Sequence, residues 1–273
     1  MSDLCVFGGS GFIGSEFCRV THRNVKLMMR EDRRPLSAES VYFIGTVDNY
    51  NISEDLHTYI DVNLKILLDV IKHLTPGESV FNYISSGFVY GHTDLPATED
   101  SVCYPRGFYS ITKRTAEQLL ISYCDTFGIC YRILRLGNVY GFSDKGVSAK
   151  KNALQYLINR LKNNEDIQLY HNGDFYRDYM HVTDVARAID LVIEHGDVNQ
   201  IYNIGSGDRV HFKTLLDLCV HATGSQSKIT PVLPHEFHQH VQVKDFYFTT
   251  DKLKSLGFQQ TISLQKGVEA LCR

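Results

Sequence analysis

What the sequence lacks narrows it first. Its six prolines and 20 glycines are scattered through 273 residues rather than clustered, so no segment reads as collagen-like, low-complexity or disordered. No apolar run approaches the roughly 20 residues that a membrane-spanning helix needs. A formal net charge of -3 leaves no basic excess for a nucleic-acid footprint. The seven cysteines are odd in number, widely spaced and without a Cys-x-x-Cys pair, which is the pattern of reduced thiols in a cytosolic core rather than of a disulfide framework. Among 12 histidines there is no His-Glu-x-x-His run and no His/Cys cluster. Even the group His235, His238 and His240 lies in a polar stretch with no further ligand at firm spacing, so no metal is expected. The chain enters an apolar strand at its third residue without a charged leader, which fits a cytoplasmic location.

What is present is an ordinary globular composition, 43% hydrophobic and 22% charged, in a chain long enough for one large domain or two lobes with a sizeable core. The first chemical signal comes at once. Residues 3–7 form an apolar strand that runs into Gly8-Gly9-Ser10-Gly11-Phe12-Ile13-Gly14. Strand, glycine turn and helix is the context a dinucleotide fingerprint requires: Gly8 for the tight turn, Gly11 for close approach to a pyrophosphate, Gly14 for helix-on-strand packing, and free N–H groups around Phe12 and Ile13 to meet the anion. Residues 25–29 are the next strand, ending in Arg30-Glu31-Asp32-Arg33-Arg34. An acidic residue at this strand tip holds the ribose hydroxyl of NAD, whereas arginine accommodates the phosphate of NADP. Arg30 or Asp32 falls at the tip depending on the loop before it, and the three arginines, Arg33 among them, tilt the balance slightly toward NADP(H). Only residues 35–40 separate this turn from the next strand at 41–44, too few for a helix-strand-helix excursion. The first half of the nucleotide domain is therefore expected to be abbreviated, with a thin wall around the adenine.

Residues 61–73 have helical periodicity and read as scaffold, and residues 80–84 form a buried strand leading to Ser85-Ser86-Gly87-Phe88-Val89-Tyr90-Gly91. Hydroxyls at the C-terminal end of such a strand lie where ligands bind in open α/β sheets, which makes Ser86 a candidate for a reacting hydroxyl or carbonyl. A helix over residues 104–127 then carries Tyr109 and Lys113 one turn apart, with Leu119, Leu120 and Tyr123 on its packing side. An ammonium beside a phenol favours the phenolate and is expected to draw the tyrosine below its usual value of about 10. Strands at 130–136 and 167–170, and helices at 146–163, 183–195, 212–222 and 263–272, complete the pattern. Lys150 and Lys151, near the start of the 146–163 helix, either meet phosphates of a ligand or lie on a solvated charged face.

Five spaced motifs, Gly8-x-x-Gly11-x-x-Gly14, Ser85-Ser86-x-x-Val89-Tyr90-Gly91, Tyr109-x-x-x-Lys113, Arg135-x-x-Asn138-Val139-Tyr140-Gly141 and Arg177-Asp178-Tyr179-Met180-His181-Val182-x-Asp184-Val185, together resemble the extended short-chain dehydrogenase/reductases that act on nucleotide sugars. The resemblance covers residues 3 to about 207, and the later Asn203-Ile204-Gly205-Ser206-Gly207 and 251–258 also look like that family. It implies a doubly wound parallel sheet (Rossmann) with a small C-terminal α/β substrate lobe. Residues 1–145 and the returning segment 178–208 would hold the cofactor, and residues 146–177 and 209–273 the substrate. It implies Tyr109 as general acid/base, Lys113 as the residue that lowers its pKa and holds the nicotinamide ribose, and Ser86 as the active-site hydroxyl. Asn138 and Arg177 match positions that hold a nucleoside diphosphate; His181, Asp184 and Tyr140 match mainly structural ones. The 4,6-dehydratases of the group place Asp-Glu directly after the Ser/Thr, where this chain has Gly87-Phe88, which argues against dehydration.

The expected activity is NAD(P)-dependent epimerisation or 4-keto-sugar reduction of a nucleoside-diphosphate sugar by hydride transfer, with C4 the expected carbon, in sugar-nucleotide biosynthesis for a polysaccharide. The resemblance also implies a homodimer formed through the Tyr109-bearing helix and its neighbour. The rival from another class is a protein that senses NADP(H) on the same fold without catalysis, which would have no use for Tyr109, Lys113 and Ser86 together.

Overall fold

The computed structural model describes residues 3–46, 55–142, 144, 153–234, 236–241 and 243–273. The chain opens with strand β1 (Asp3–Phe7), helix α1 (Phe12–Val20) and strands β2 (Asn24–Met28) and β3 (Glu39–Tyr42). Helix α2 (His57–Ile60) continues through a π turn (Asp61–Lys65) into α3 (Ile66–Ile71). Then come β4 (Val80–Ser86), a 3-10 turn (Gly87–Tyr90), α4 (Gly107–Phe127), β5 (Cys130–Leu136) and β6 (Asn138–Tyr140). After α5 (Ala153–Lys162) follow β7 (Ile167–Tyr170), β8 (Tyr176–Arg177), β9 (Tyr179–His181), α6 (Val182–His195) and β10 (Gln200–Ile204). The last part comprises β11 (Val210–His211), α7 (Phe212–Thr223), β12 (Ile229–Val232), α8 (Glu236–Val241), α9 (Asp251–Ser255) and α10 (Leu264–Cys272).

Six strands form one parallel sheet in the order β10-β5-β4-β3-β1-β2. Their sequences lack a polar face because both faces are covered. Alternate residues Leu4, Val6, Val41, Ile84, Leu134 and Ile204 pack with α1 and α6, while Cys5, Phe7, Tyr42, Phe81, Tyr83 and Ile133 pack with α3 and α4. This is the doubly wound fold. A separate apolar core lies among α5, α7 and α10 with β7 and β9, around Leu157, Ile158, Leu215, Leu216 and Val268.

The chain passes from β2 to β3 through turns alone, and β3 inserts on the far side of β1. Among the described residues no strand flanks β2 where the usual order 3-2-1-4-5-6 has one, so β2 is the outer edge of this sheet, with Leu27 57% and Met29 72% exposed. Two expected boundaries shift. α4 begins at Gly107 rather than 104, because Pro105 biases Tyr104 toward extended backbone, and Tyr104 instead bridges to Gly91. On the same helix Leu120 is buried but Leu119 faces outward. Lys150, Lys151 and His235 lie outside the described residues, as does the His238 side chain.

Candidate active site

The C-terminal ends of β1, β3, β4 and β5 open on one edge of the sheet, and the glycine loop, Gly45, Ser86 and Asn138 follow these strands there. After β1, Gly8 takes φ +76°, a conformation that side chains disfavour, and its carbonyl accepts the N–H of Gly11 at 3.1 Å. Gly11 caps α1 without a side-chain cap, and the first helical bond runs from the Ser15 N–H to the Gly11 carbonyl. The N–H groups of Phe12, Ile13 and Gly14 therefore have no partner within the helix and face whatever lies before it. At Gly14 a Cβ would collide with the Gly8 carbonyl and lie 3.0 Å from Gly9 Cα, whereas at Gly11 it would meet only that carbonyl at 3.4 Å. The bare glycines and free N–H groups of this loop fit an anion such as a dinucleotide pyrophosphate.

At the tip of β2 the two candidates part. The Asp32 carboxylate turns back to accept the Met29 N–H at 2.7 Å, closing the turn. Arg33 likewise donates to the Arg30 and Asp32 carbonyls. Arg30 is exposed.

Ser86, Tyr109 and Lys113 meet between β4 and α4. Ser86 ends β4 and accepts the Phe88 N–H at 3.2 Å. Burial raises the Tyr109 phenol above its ordinary value, and a side-chain hydrogen bond with Ser86 only partly offsets this. The expectation that Lys113 pulls this phenol down is thus not met in this arrangement. The ammonium points elsewhere: it donates to the Ile84 carbonyl at 3.0 Å and lies 4.9 Å from the centre of the Tyr83 ring. Lys113 is itself 4% exposed, and burial brings it down to about 8 despite the opposing pull of the Glu117 carboxylate.

Two supports of Lys113 were not singled out in the sequence. Gly45, just past β3, lies so close that a Cβ would stand 2.8 Å from the Lys113 Nζ. Asn63 sits in the π turn of a helix that reads as plain scaffold. It is 1% exposed, accepts the Thr46 N–H, and donates to Thr46 Oγ1 and Thr112 Oγ1 at 2.9 and 2.8 Å. It ties the segment after β3 to α4 beside Lys113, and the apolar periodicity of residues 61–73 carries no signal of this role.

The two diphosphate candidates have internal tasks. Asn138 donates its side-chain N–H and its backbone N–H to the Asp178 carbonyl, both at 3.0 Å. Arg177 is 5% exposed and donates to the carbonyls of Tyr176, Val243 and Lys244, anchoring the segment that carries Phe246. His181 accepts the Thr183 N–H at the start of α6, and Asp184 accepts from Thr261, Ile262 and Arg187, binding the C-terminal segment to that helix. Gly87 packs so tightly under Phe246 and Phe248 that a Cβ would collide with the Phe246 ring, so a carboxylate there has no room. Among the described residues no group of three or more His, Cys, Asp or Glu could hold a metal, and no helix is long and apolar enough to cross a membrane.

The model of the NAD-dependent epimerase/dehydratase family matches residues 37–205, which span β3 to β10 and carry Ser86, Tyr109 and Lys113. The chain belongs to this family of enzymes. Epimerase/dehydratase family relatives include the low-salt glycan biosynthesis protein Agl12 of Haloferax volcanii, 26% identical with 98% of this chain and 96% of that protein covered. Another is the dTDP-4-dehydro-6-deoxyglucose reductase of Escherichia coli, 24% identical over 99% of this chain and 96% of that enzyme. The fold matches that of the UDP-glucose 4-epimerase of Thermotoga maritima solved with UDP-glucose, with a TM-score of 0.85, 21% identity, and 99% and 97% of the two chains covered.

Proposed function

We propose that this chain reduces a 4-keto nucleoside-diphosphate sugar, adding hydride at C4 with Tyr109 as the proton donor. The observation that carries this is the meeting of Ser86, Tyr109 and Lys113 at the end of β4, beside a glycine cradle that fits a dinucleotide. When bound, the nicotinamide supplies the hydride. Residues 1–145 and 178–208 hold it, with Gly8, Gly11, Phe12, Ile13 and Gly14 at the pyrophosphate and Lys113 at the ribose. Residues 146–177 and 209–273 hold the sugar nucleotide, with Ser86 orienting the carbonyl. The side chain of Asn138 spends one Nδ2–H on the Asp178 carbonyl and keeps the other for the diphosphate. Arg177 acts there through the segment it anchors.

Reduction is favoured over epimerisation by two features. Burial keeps the Tyr109 phenol protonated, the form needed to give a proton to a developing alkoxide. At the β2 tip Arg30 and Asp32 are both exposed, but the Asp32 carboxylate is engaged by the Met29 N–H, and among the described residues no strand walls the edge, which suits an exchangeable NADP(H) over a retained NAD(H). The exposed apolar side chains Leu68, Ile111 and Leu119 on α3 and α4 support a homodimer through these helices. Seven free cysteines support a reducing, cytoplasmic setting.

The test is to denature purified protein, measure released nicotinamide nucleotides, and follow NADPH consumption with dTDP- and UDP-4-keto-6-deoxy sugars while recording mass by light scattering. An empty site, preference for NADPH and one NADPH consumed per sugar are expected. Retained NAD with interconversion of sugar isomers would replace reduction by epimerisation. Tight NADP(H) binding with no turnover of any sugar would leave a sensor.

A further inference from the structure

The last three residues of β4 are each fastened to α4. The Ile84 carbonyl accepts the Lys113 ammonium, the Ser85 hydroxyl donates to Glu117 Oε1 at 2.5 Å, and Ser86 bonds Tyr109. Tyr109, Lys113 and Glu117 follow one another at intervals of four, so they form one stripe along the helix. Only Glu117 has no place in the chemistry described above. It is fully buried, and its carboxylate also accepts Arg135 Nε and Nη2 at 3.0 and 2.8 Å and Arg114 Nη1 at 2.8 Å. Arg135 is 1% exposed and lies over the Tyr90 ring at 4.7 Å.

A pair of this kind is not needed for stability, since apolar side chains of the same volume commonly do as well. Its position points to another task. A strand and a helix joined by apolar contacts can slide by fractions of an ångström, whereas three directed polar contacts fix one register. The register here decides where Ser86 lies against Tyr109 and where the Lys113 ammonium stands.

We propose that Glu117 is a positioning residue of the active site, which sets the register of α4 on β4 through Ser85 and supplies the negative charge that keeps Lys113 ionised. The groups that face Lys113 leave few rivals for the second role. From its own helix these are Tyr109 and Glu117; from β4, the Tyr83 ring and the Ile84 carbonyl; from the segment after β3, Gly45; and from the π turn, the neutral Asn63 amide. Tyr83 is held neutral by burial and Tyr109 is raised by it, so Glu117 is the one anion in that set. Arg114 and Arg135 hold the carboxylate from its far side.

The inference rests on the roles given above to Tyr109 and Lys113, and its test is independent of any substrate. Protein carrying 13Cε-lysine, with the Lys113 signal assigned by its loss in Lys113→Met, is titrated by NMR. Glu117→Gln keeps the shape but removes the charge, and the Lys113 midpoint should move down from about 8 by about one pH unit. Glu117→Asp, which keeps the charge, should hold it near the wild-type value. If Glu117→Gln does not fold because Arg135 is left unpaired, the double variant Glu117→Gln/Arg135→Gln removes both charges, and the same downward direction is expected. An unchanged midpoint in whichever Gln variant folds would overturn the proposal. In turnover assays the basic limb of the pH profile should shift with the midpoint, whereas a purely structural role would lower the plateau and leave the limb in place. Failure to turn over any sugar would count against the proposed reaction and leave the titration intact.

Discussion

Tyr109→Phe is expected to lower turnover by about three orders of magnitude while leaving cofactor affinity within a factor of about two. The substitution removes one oxygen and keeps the ring, so the packing of α4 is preserved. What is lost is the proton donor and its bond to Ser86. Burial holds the phenol above its ordinary value, so wild-type Tyr109 stays protonated across neutral pH, and the pH dependence on the alkaline side should come from Lys113. As pH rises past about 8 that lysine loses its charge, and activity should fall with it. Rates with NADPH and a 4-keto sugar from pH 6 to 10, alongside cofactor titration, check both statements. Unchanged turnover in Tyr109→Phe would refute the assignment of the acid.

The second large effect concerns the glycine cradle. Gly14→Val should reduce nicotinamide-nucleotide affinity by at least about 100-fold and lower the melting temperature, because its Cβ would drive into the Gly8 carbonyl and Gly9 and push α1 away from β1. Gly11→Ala separates the two consequences. Its Cβ meets only the Gly8 carbonyl at ordinary contact distance, so melting should stay near wild type while affinity falls through obstruction of the pyrophosphate. Calorimetric titration and thermal unfolding of both variants give the contrast. Equal loss of stability in both would mean that Gly11 serves packing instead.

Much of this site was legible along the chain because its chemistry is local in sequence. A strand followed by Gly8, Gly11 and Gly14 specifies a turn and a helix start within seven residues, and Tyr109 and Lys113 are neighbours on any helix that contains them. The short link between the second and third strands likewise foretold an abbreviated sheet, since residues 29–38 leave no space for another helix and strand. The spacing of hydrophobic residues located α4, β5 and α6 to within a few positions.

What the sequence determined by itself was the family pattern, the doubly wound fold and the identity of the groups on each short segment. Their partners were decided only by the tertiary structure. Arg177 looks like an anion ligand until the segment at 243–244, more than 60 residues later, brings its carbonyls to the guanidinium. Asn63 meets Thr112 across 49 residues and Gly45 meets Lys113 across a longer stretch still, and the ionisation of Tyr109 follows from how deeply β4 and α4 bury it rather than from its neighbour four residues on. Burial and long-range hydrogen bonds set these properties, and both depend on which segments the folded sheet places side by side.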